Sequence, residues 1–228
     1  MKRYASLMAL LAAAVLLVPS CRPRTPVLGP VPERIVEIEG FASLRYERGG
    51  ASNRVRLAFI LAPPGRGRLD VLGPIGRLIF NVVVEEPEAV LLVPSKKACW
   101  QASREEVLAA GLGFPLDIAE IGRLLSGRWK ETSGSPGDPA GWTLERDASG
   151  RVRGGGREGF VFRVEEFFPA AEIPRRFSFS GSDGSGMLSI LSLAFNRAGA
   201  EAALGIAIPS SYSRLSRAEM ERLLRDED

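Results

Sequence analysis

Histidine is absent from all 228 residues. With it go the commonest general base near neutral pH, the commonest metal ligand and the usual proximal haem ligand. Cysteine occurs only at positions 21 and 99. The sequence contains no phosphate-binding P-loop, no nucleophile-elbow serine and no paired metal-ligand spacing. Glu85-Glu86 and Glu165-Glu166 are adjacent acids, and neighbours on a strand point to opposite faces. They read as solvated edges, not as a catalytic dyad. No catalytic constellation emerges, so neither an enzyme nor a metal or diffusible cofactor is expected. Long apolar runs are equally scarce: beyond the first twenty residues, no segment is long enough for a transmembrane helix.

An excess of one charge is also lacking. The formal charge of +3 includes Lys2 and Arg3. Without residues 1–20, which carry no acid, 28 basic residues face 27 acidic ones. That balance gives no support for nucleic-acid binding. One glycine-rich stretch, Gly154-Gly155-Gly156-Arg157-Glu158-Gly159, satisfies the dinucleotide fingerprint literally. The fingerprint needs a preceding buried strand and a following helix N-terminus. Here a strand pattern follows it, so it reads as a hairpin loop.

What is present begins at the N-terminus. Lys2 and Arg3 precede a nearly unbroken apolar stretch, Ala5 to Val18, and then Pro19-Ser20-Cys21. A basic start, a short apolar core and small residues at a cut describe an export signal. About fourteen apolar residues are too few to cross a ~30 Å hydrocarbon core. A cysteine directly after that core, with serine before it, resembles the lipobox of bacterial lipoproteins. The expectation is cleavage before Cys21 and a covalent diacylglycerol and N-acyl lipid on that residue. Cys99 is then alone and reads as a buried, inert thiol on a strand.

Residues 22–34 hold four prolines and read as an extended tether. From Ile35 the apolar pattern has period two: Val36, Ile38, Ala42, Leu44 and Tyr46 share one face, and Val55, Leu57, Phe59 and Leu61 the next. Strands are expected at Arg68–Leu72, Arg77–Glu85 and Ala89–Ala102, the last interrupted near Pro94. These consecutive strands with hairpin-length connections argue an up-and-down antiparallel sheet. Ser103 and Glu106 form a capping box for a helix stopped at Gly111 or Gly113. Pro115 opens a second helix with Ile118, Ile121 and Leu125 on one face, ended at Gly127. After a loop at 132–141, further strands are expected at 142–146, 160–168, 176–180, 187–196 and 203–208. Ser216 and Glu219 cap a last helix carrying Leu223 and Leu224. The fold class is therefore mainly β, a strand-rich, curled antiparallel sheet with short amphipathic helices in the middle, suited to lying over one face of it, and a C-terminal helix. Residues 35–228 read as one domain, with a helical insert at about 103–127 and a C-terminal extension from about 200.

One hairpin tip is unusual. Leu72-Gly73-Pro74-Ile75-Gly76 places Leu72, Pro74 and Ile75 where polar turn residues are commoner. Either Ile75 folds back under the sheet, or the tip is an exposed apolar finger for a bilayer or an acyl chain.

The order of these features resembles the lipoprotein receptors of the LolA/LolB-like superfamily. The lipobox and tether, Gly40-Phe41, Leu72 to Gly76, Trp100-Gln101-Ala102, Leu112 to Leu116 and Ile121 to Gly127 carry the likeness, across residues 35–197. The resemblance implies an open, incomplete antiparallel β-barrel with short helices capping its concave face, an acyl-binding cavity under that cap, and a non-enzymatic protein that passes acylated lipoproteins to the outer membrane. It assigns Ile75 to membrane insertion. Cavity candidates by strand face are Leu57, Phe59, Leu78, Phe80, Val82, Phe160 and Phe162, with Ile118, Ile121 and Leu125 on the cap. Implied partners are membrane lipid, acylated lipoproteins and a periplasmic LolA-like carrier; a monomer is expected. Arg22 stands where enteric lipoproteins retained in the inner membrane carry Asp, which points to the outer membrane, facing the periplasm. Two other readings stay open: a lipid or glycolipid carrier of the same fold, and a structural lipoprotein with a filled core.

Overall fold

Period-two stretches this dense leave one apolar face on every strand, and the chain resolves them by pairing all of them into one sheet. A computed structural model describes residues 25–129, 139, 141–182 and 184–225. The expectations for residues 1–24, Cys21 among them, and for most of the 132–141 loop lie outside those residues.

The strands are β1 (Val27–Leu28), β2 (Ile38–Arg48), β3 (Ala51–Ala62), β4 (Arg66–Leu72), β5 (Leu78–Glu85), β6 (Glu88–Val93), β7 (Ala98–Ser103), β8 (Thr143–Arg146), β9 (Val152–Arg157), β10 (Phe160–Phe167), β11 (Pro174–Gly181), β12 (Gly184–Phe195) and β13 (Ser213–Arg214). Their spatial order is β13-β7-β6-β5-β4-β3-β2-β12-β11-β10-β9-β8, with β1 beside β12. Among the described residues the ends β13 and β8 do not pair, so the sheet is curled but not closed. This is the mainly β, incomplete barrel expected from the sequence. Among the described residues, β1 on β12 and β13 on β7 pair in parallel, and the other ladders are antiparallel.

Among the described residues, three α-helices complete the fold: α1 (Arg104–Leu112), α2 (Ile118–Ser126) and α3 (Arg217–Arg225). The Ser103 hydroxyl accepts from the Glu106 N–H and caps α1, and Gly113 ends it with φ +75°. Gly111, the other expected stop, lies inside the helix. A Cβ there would sit 2.9 Å from Val82, so glycine lets α1 rest on the sheet. Val107 and Leu108 on the underside of α1 are fully buried. Burial of each contributes roughly 1.5–3 kcal/mol.

Several expectations are corrected. The second helix starts at Ile118, not Pro115, because Asp117 and Glu120 form the complete capping box. The glycine run is no loop: Gly154, Gly155 and Gly156 lie within β9, and the turn falls at Glu158-Gly159. A Cβ at Gly155 would come within 2.6 Å of the Thr143 carbonyl oxygen, so the tight coiling of this arm excludes side chains. The interruption expected near Pro94 is present: Pro94–Lys96 forms a short 3₁₀ turn that divides the fifth strand into β6 and β7. The expected strand at 203–208 does not form. Ala200–Ala203 is a 3₁₀ turn, and Ile206, Ile208 and Tyr212 instead cover a small second core of Val83, Val90, Leu92 and Cys99 on the outer face. The chain then pairs beside β7 and brings Met220 of α3, fully buried, into the main core. The C-terminal extension is thus a strap around one edge of the sheet. Cys99 is a free, buried thiol.

The segment read as a tether also meets the sheet. Val27 and Leu28 pair with Ser192 and Leu193, and the Arg128 guanidinium donates to the carbonyls of Pro32, at 2.6 Å, and Glu33. Asn196 donates to the Arg34 carbonyl and accepts from the Val36 and Glu37 N–H groups.

Candidate functional site

Between the concave face and the helices lies a cavity of about 120 Å³. Every residue lining it is Leu, Ile or Phe. Alternation places its floor: Leu44 of β2, Leu57 and Phe59 of β3, Leu69 of β4, Phe160 and Phe162 of β10, Phe177 and Phe179 of β11 and Leu188 of β12. The lid supplies Leu112, Phe114, Leu116, Ile121, Leu124 and Leu125. A second space of about 150 Å³ adjoins it, sharing Leu44, Leu57, Leu112 and Phe114 and reaching Val71, Phe80, Tyr46 and Leu224.

Six of the expected cavity residues meet at the first space: Leu57, Phe59, Ile121, Leu125, Phe160 and Phe162. Phe80 lines the second. Val82 and Ile118 point to the same side but are 1% and 0% exposed, packed solidly in the core. A Cβ on Gly67 would lie 2.7 Å from Ile118, so α2 is pressed to the sheet there. Leu78 pairs with Leu72 at a register shift and lines neither space. Parity along a strand tells which face a residue occupies, not whether a helix already covers it. Leu44, Leu69, Leu188, Phe177 and Phe179 share the right parity and were legible by that signal. Phe114 carries no periodic signal, since it sits in the link between α1 and α2. Its ring meets those of Phe160 at 5.4 Å and Phe179 at 4.9 Å, both edge-to-face. Such contacts add about 0.5–1.5 kcal/mol each beyond area burial.

One polar group on the lid is buried. Glu120 of α2 is 5% exposed. One carboxylate oxygen accepts from the Trp142 indole N–H at 3.0 Å and pairs with the Arg157 guanidinium of β9 at 2.7 Å. The other accepts from the Asp117 N–H at 2.8 Å, completing the capping box. Burying a carboxylate is costly unless it is paired and hydrogen-bonded; here both oxygens are. The carboxylate therefore fastens α2 to the β8–β9 arm. The sequence signal was the D-x-x-E spacing of Asp117 and Glu120, which announces the cap but not its distant partners. Beneath this latch, Trp129 stacks on Phe162 at 5.5 Å and meets Trp142 at 5.0 Å.

Away from the cavity, the tip between β4 and β5 stands free. The Gly76 N–H donates to the Gly73 carbonyl at 2.9 Å, and Gly76 has φ +82°. Proline at the second and glycine at the fourth position suit a type I turn. This turn throws Ile75 outward, 91% exposed, the most exposed large apolar side chain described. Pro74 is exposed beside it and Leu72 is half-buried. Of the two sequence readings, the folded-back one does not describe this tip.

Among the described residues, no three His, Cys, Asp or Glu side chains are grouped to hold a metal ion. Nor is any helix long and apolar enough to cross a membrane. The arrangement can shelter hydrocarbon.

No known family profile matches the chain. It is 28% identical over 159 residues to a Cupriavidus taiwanensis protein named outer-membrane lipoprotein LolB, covering 66% of this chain and 75% of that one. To the protein of the same name from Cupriavidus pinatubonensis it is 31% identical over 139 residues, covering 59% and 64%. Among solved structures, a LolA superfamily protein from Nitrosomonas europaea has a TM-score of 0.51 at 10% identity, covering 75% of this chain and 90% of its own. A DUF1329 family protein from Desulfovibrio piger has a TM-score of 0.55 at 8% identity, covering 76% and 91%. The chain is similar to LolB lipoproteins in sequence and to the LolA superfamily in fold.

Proposed function

With that similarity as premise, we propose that the chain is a non-enzymatic, lipid-anchored protein of the outer membrane that takes up the acyl chains of lipoproteins and delivers them to the bilayer. In this reading Cys21 carries the anchoring lipid, the cavity under α1 and α2 holds cargo acyl chains, and Ile75 enters the membrane at delivery. A LolA-like carrier is the donor, and the domain faces the periplasm. The observation that carries the reading is a cavity wall made of Leu, Ile and Phe alone.

Magnitudes support a moving lid. Acyl burial contributes about 0.8 kcal/mol per CH₂, so a long chain gains much from a dry apolar site. Cavities that enclose sizeable ligands run to roughly 300–1,000 Å³. The present spaces of about 120 and 150 Å³ fall short even if joined. This is the closed state, and cargo enters when α2 and the Phe114 link swing away from the sheet.

Depletion of the protein in its own cell tests the reading. Acylated lipoproteins should accumulate in the periplasm bound to their carrier, while phospholipid distribution stays normal. Lipoproteins that reach the outer membrane at normal rates would overturn it.

A further inference from the structure

The outer face of β2 and β3, beside the tip, carries an arginine cluster that the sheet itself does not neutralise. Arg45 and Arg54 are direct cross-strand partners, and Arg56 follows Arg54 on the same face. All three are exposed. Like charges placed directly opposite destabilise a sheet. Across their rows the neighbours are Ser43, Met187 and Ser178, none of them acidic. Arg54 donates to the Ser43 hydroxyl at 3.2 Å, a neutral acceptor. Of the acids on this part of the face, Asp70 is taken by Arg68 at 2.9 Å and Glu47 stands exposed beyond Arg45.

The position of the cluster is as telling as its charge. β4 ends at Leu72, directly opposite Arg56. Arg54 therefore lies one pleat further on, alongside the loop that presents Ile75, and exposed Arg77 closes that same loop. The chain from residue 21 onward is almost neutral, so this is a local concentration of charge. An apolar finger flanked by arginines on one side fits a surface that offers hydrocarbon below and phosphate above.

We propose that Arg45, Arg54 and Arg56 form a docking surface for anionic phospholipid headgroups, which sets the domain on the bilayer with Ile75 pointing into it. The proposal rests on the delivery reading, because it adds headgroup recognition to the same membrane-facing tip. Guanidinium groups suit it, since they bind phosphate oxygens in a bidentate manner. The cross-strand repulsion is relieved when phosphate comes between the two side chains.

The test uses the chain from Arg22 onward, which contains every described strand and helix and lacks Cys21. It is floated with vesicles of phosphatidylcholine alone or mixed with phosphatidylglycerol. Each basic residue near an anionic surface contributes on the order of fivefold in binding. Arg45→Ser, Arg54→Ser and Arg56→Ser combined should weaken binding to the mixed vesicles by on the order of a hundredfold. Combined replacement by Lys, which keeps the charge, should retain most of the binding. At an ionic strength near 1 M, where screening acts within about 3 Å, the preference for the mixed vesicles should vanish. Equal binding of parent and serine variant, or no preference of the parent for phosphatidylglycerol, would overturn the proposal. Uptake of a fluorescent fatty-acyl probe is measured on the same proteins. No substituted arginine lines the cavity, so failed uptake by the parent counts against acyl binding and leaves the headgroup result standing.

Discussion

Glu120 on α2 and Arg157 on β9 approach to 2.7 Å with the carboxylate almost wholly buried, so the lid is tied to the arm of the sheet by one charged pair. Hydrogen bonds to charged groups contribute about 1.5–3 kcal/mol. Glu120→Gln keeps a carbonyl for the Trp142 indole and loses the ion pair. Urea unfolding should show a loss of about 1–3 kcal/mol. Amide exchange should quicken along α2 more than in β2 or β3, and an acyl probe should enter faster. Uniform exchange protection in the variant would mean that the pair does not hold the lid.

Filling the cavity should cost little stability and much binding. Leu57→Trp adds a ring to space already present between Leu44 and Phe114. Overpacking a full core costs about 1–3 kcal/mol, whereas here a smaller change is expected. Acyl-probe affinity should fall at least about tenfold, the equivalent of roughly two buried methylenes. Unchanged affinity would place the probe elsewhere.

Ile75 touches little of its own protein, so Ile75→Glu should leave the unfolding midpoint where it is, within about 0.5 kcal/mol. Delivery of an acylated lipoprotein to vesicles should fail while uptake into the cavity persists. A variant that delivers normally removes the tip from the mechanism.

The C-terminal strap protects Cys99. A thiol reagent should leave the native chain untouched and modify Cys99 only on unfolding. Ile208→Asp, on the cover of the outer core, should open the thiol to labelling before global unfolding. Met220→Ala, at the other end of the strap, should cost about 2–5 kcal/mol as a buried large-to-small change.

These elements show what the sequence could and could not disclose. Alternation exposed nearly every strand from β2 to β12, and the capping residues Ser103 and Ser216 marked two helices. Ile206 and Ile208 imitate a strand because they bury alternate side chains, yet they lie across the outer face without a ladder. Gly154–Gly156 imitates a loop because glycine favours turns, while the true reason for glycine is a neighbouring backbone too close for Cβ. Glu120 shows the same limit: its role comes from Trp142 and Arg157, distant in sequence and brought near only by the curl of the sheet.

The β8–β9 turn carries a separate pH signature. Hydrogen bonds from the Ser149 hydroxyl, and then from Arg151 and the local backbone, hold the Asp147 carboxyl down to about 2 against an ordinary value of 3.8. A depressed carboxyl stabilises the fold above its ordinary range and loses that contribution as pH falls from about 4 through 2. Carbon-13 titration should place the Asp147 midpoint near 2. A midpoint near 4 would mean that the turn is open in solution.

The most direct measurement of acyl delivery is photo-crosslinking inside the cell. A photoreactive residue at Leu124, on the lid wall of the cavity, should capture outer-membrane lipoproteins. Capture should disappear when the acylated cysteine of the cargo is replaced. The same probe at Val161, exposed between the inward-facing Phe160 and Phe162 of β10 and lining neither space, should capture none. Adducts with phospholipid alone, or lipoprotein adducts that survive loss of the cargo's acyl chains, would contradict a cavity built to receive lipoproteins.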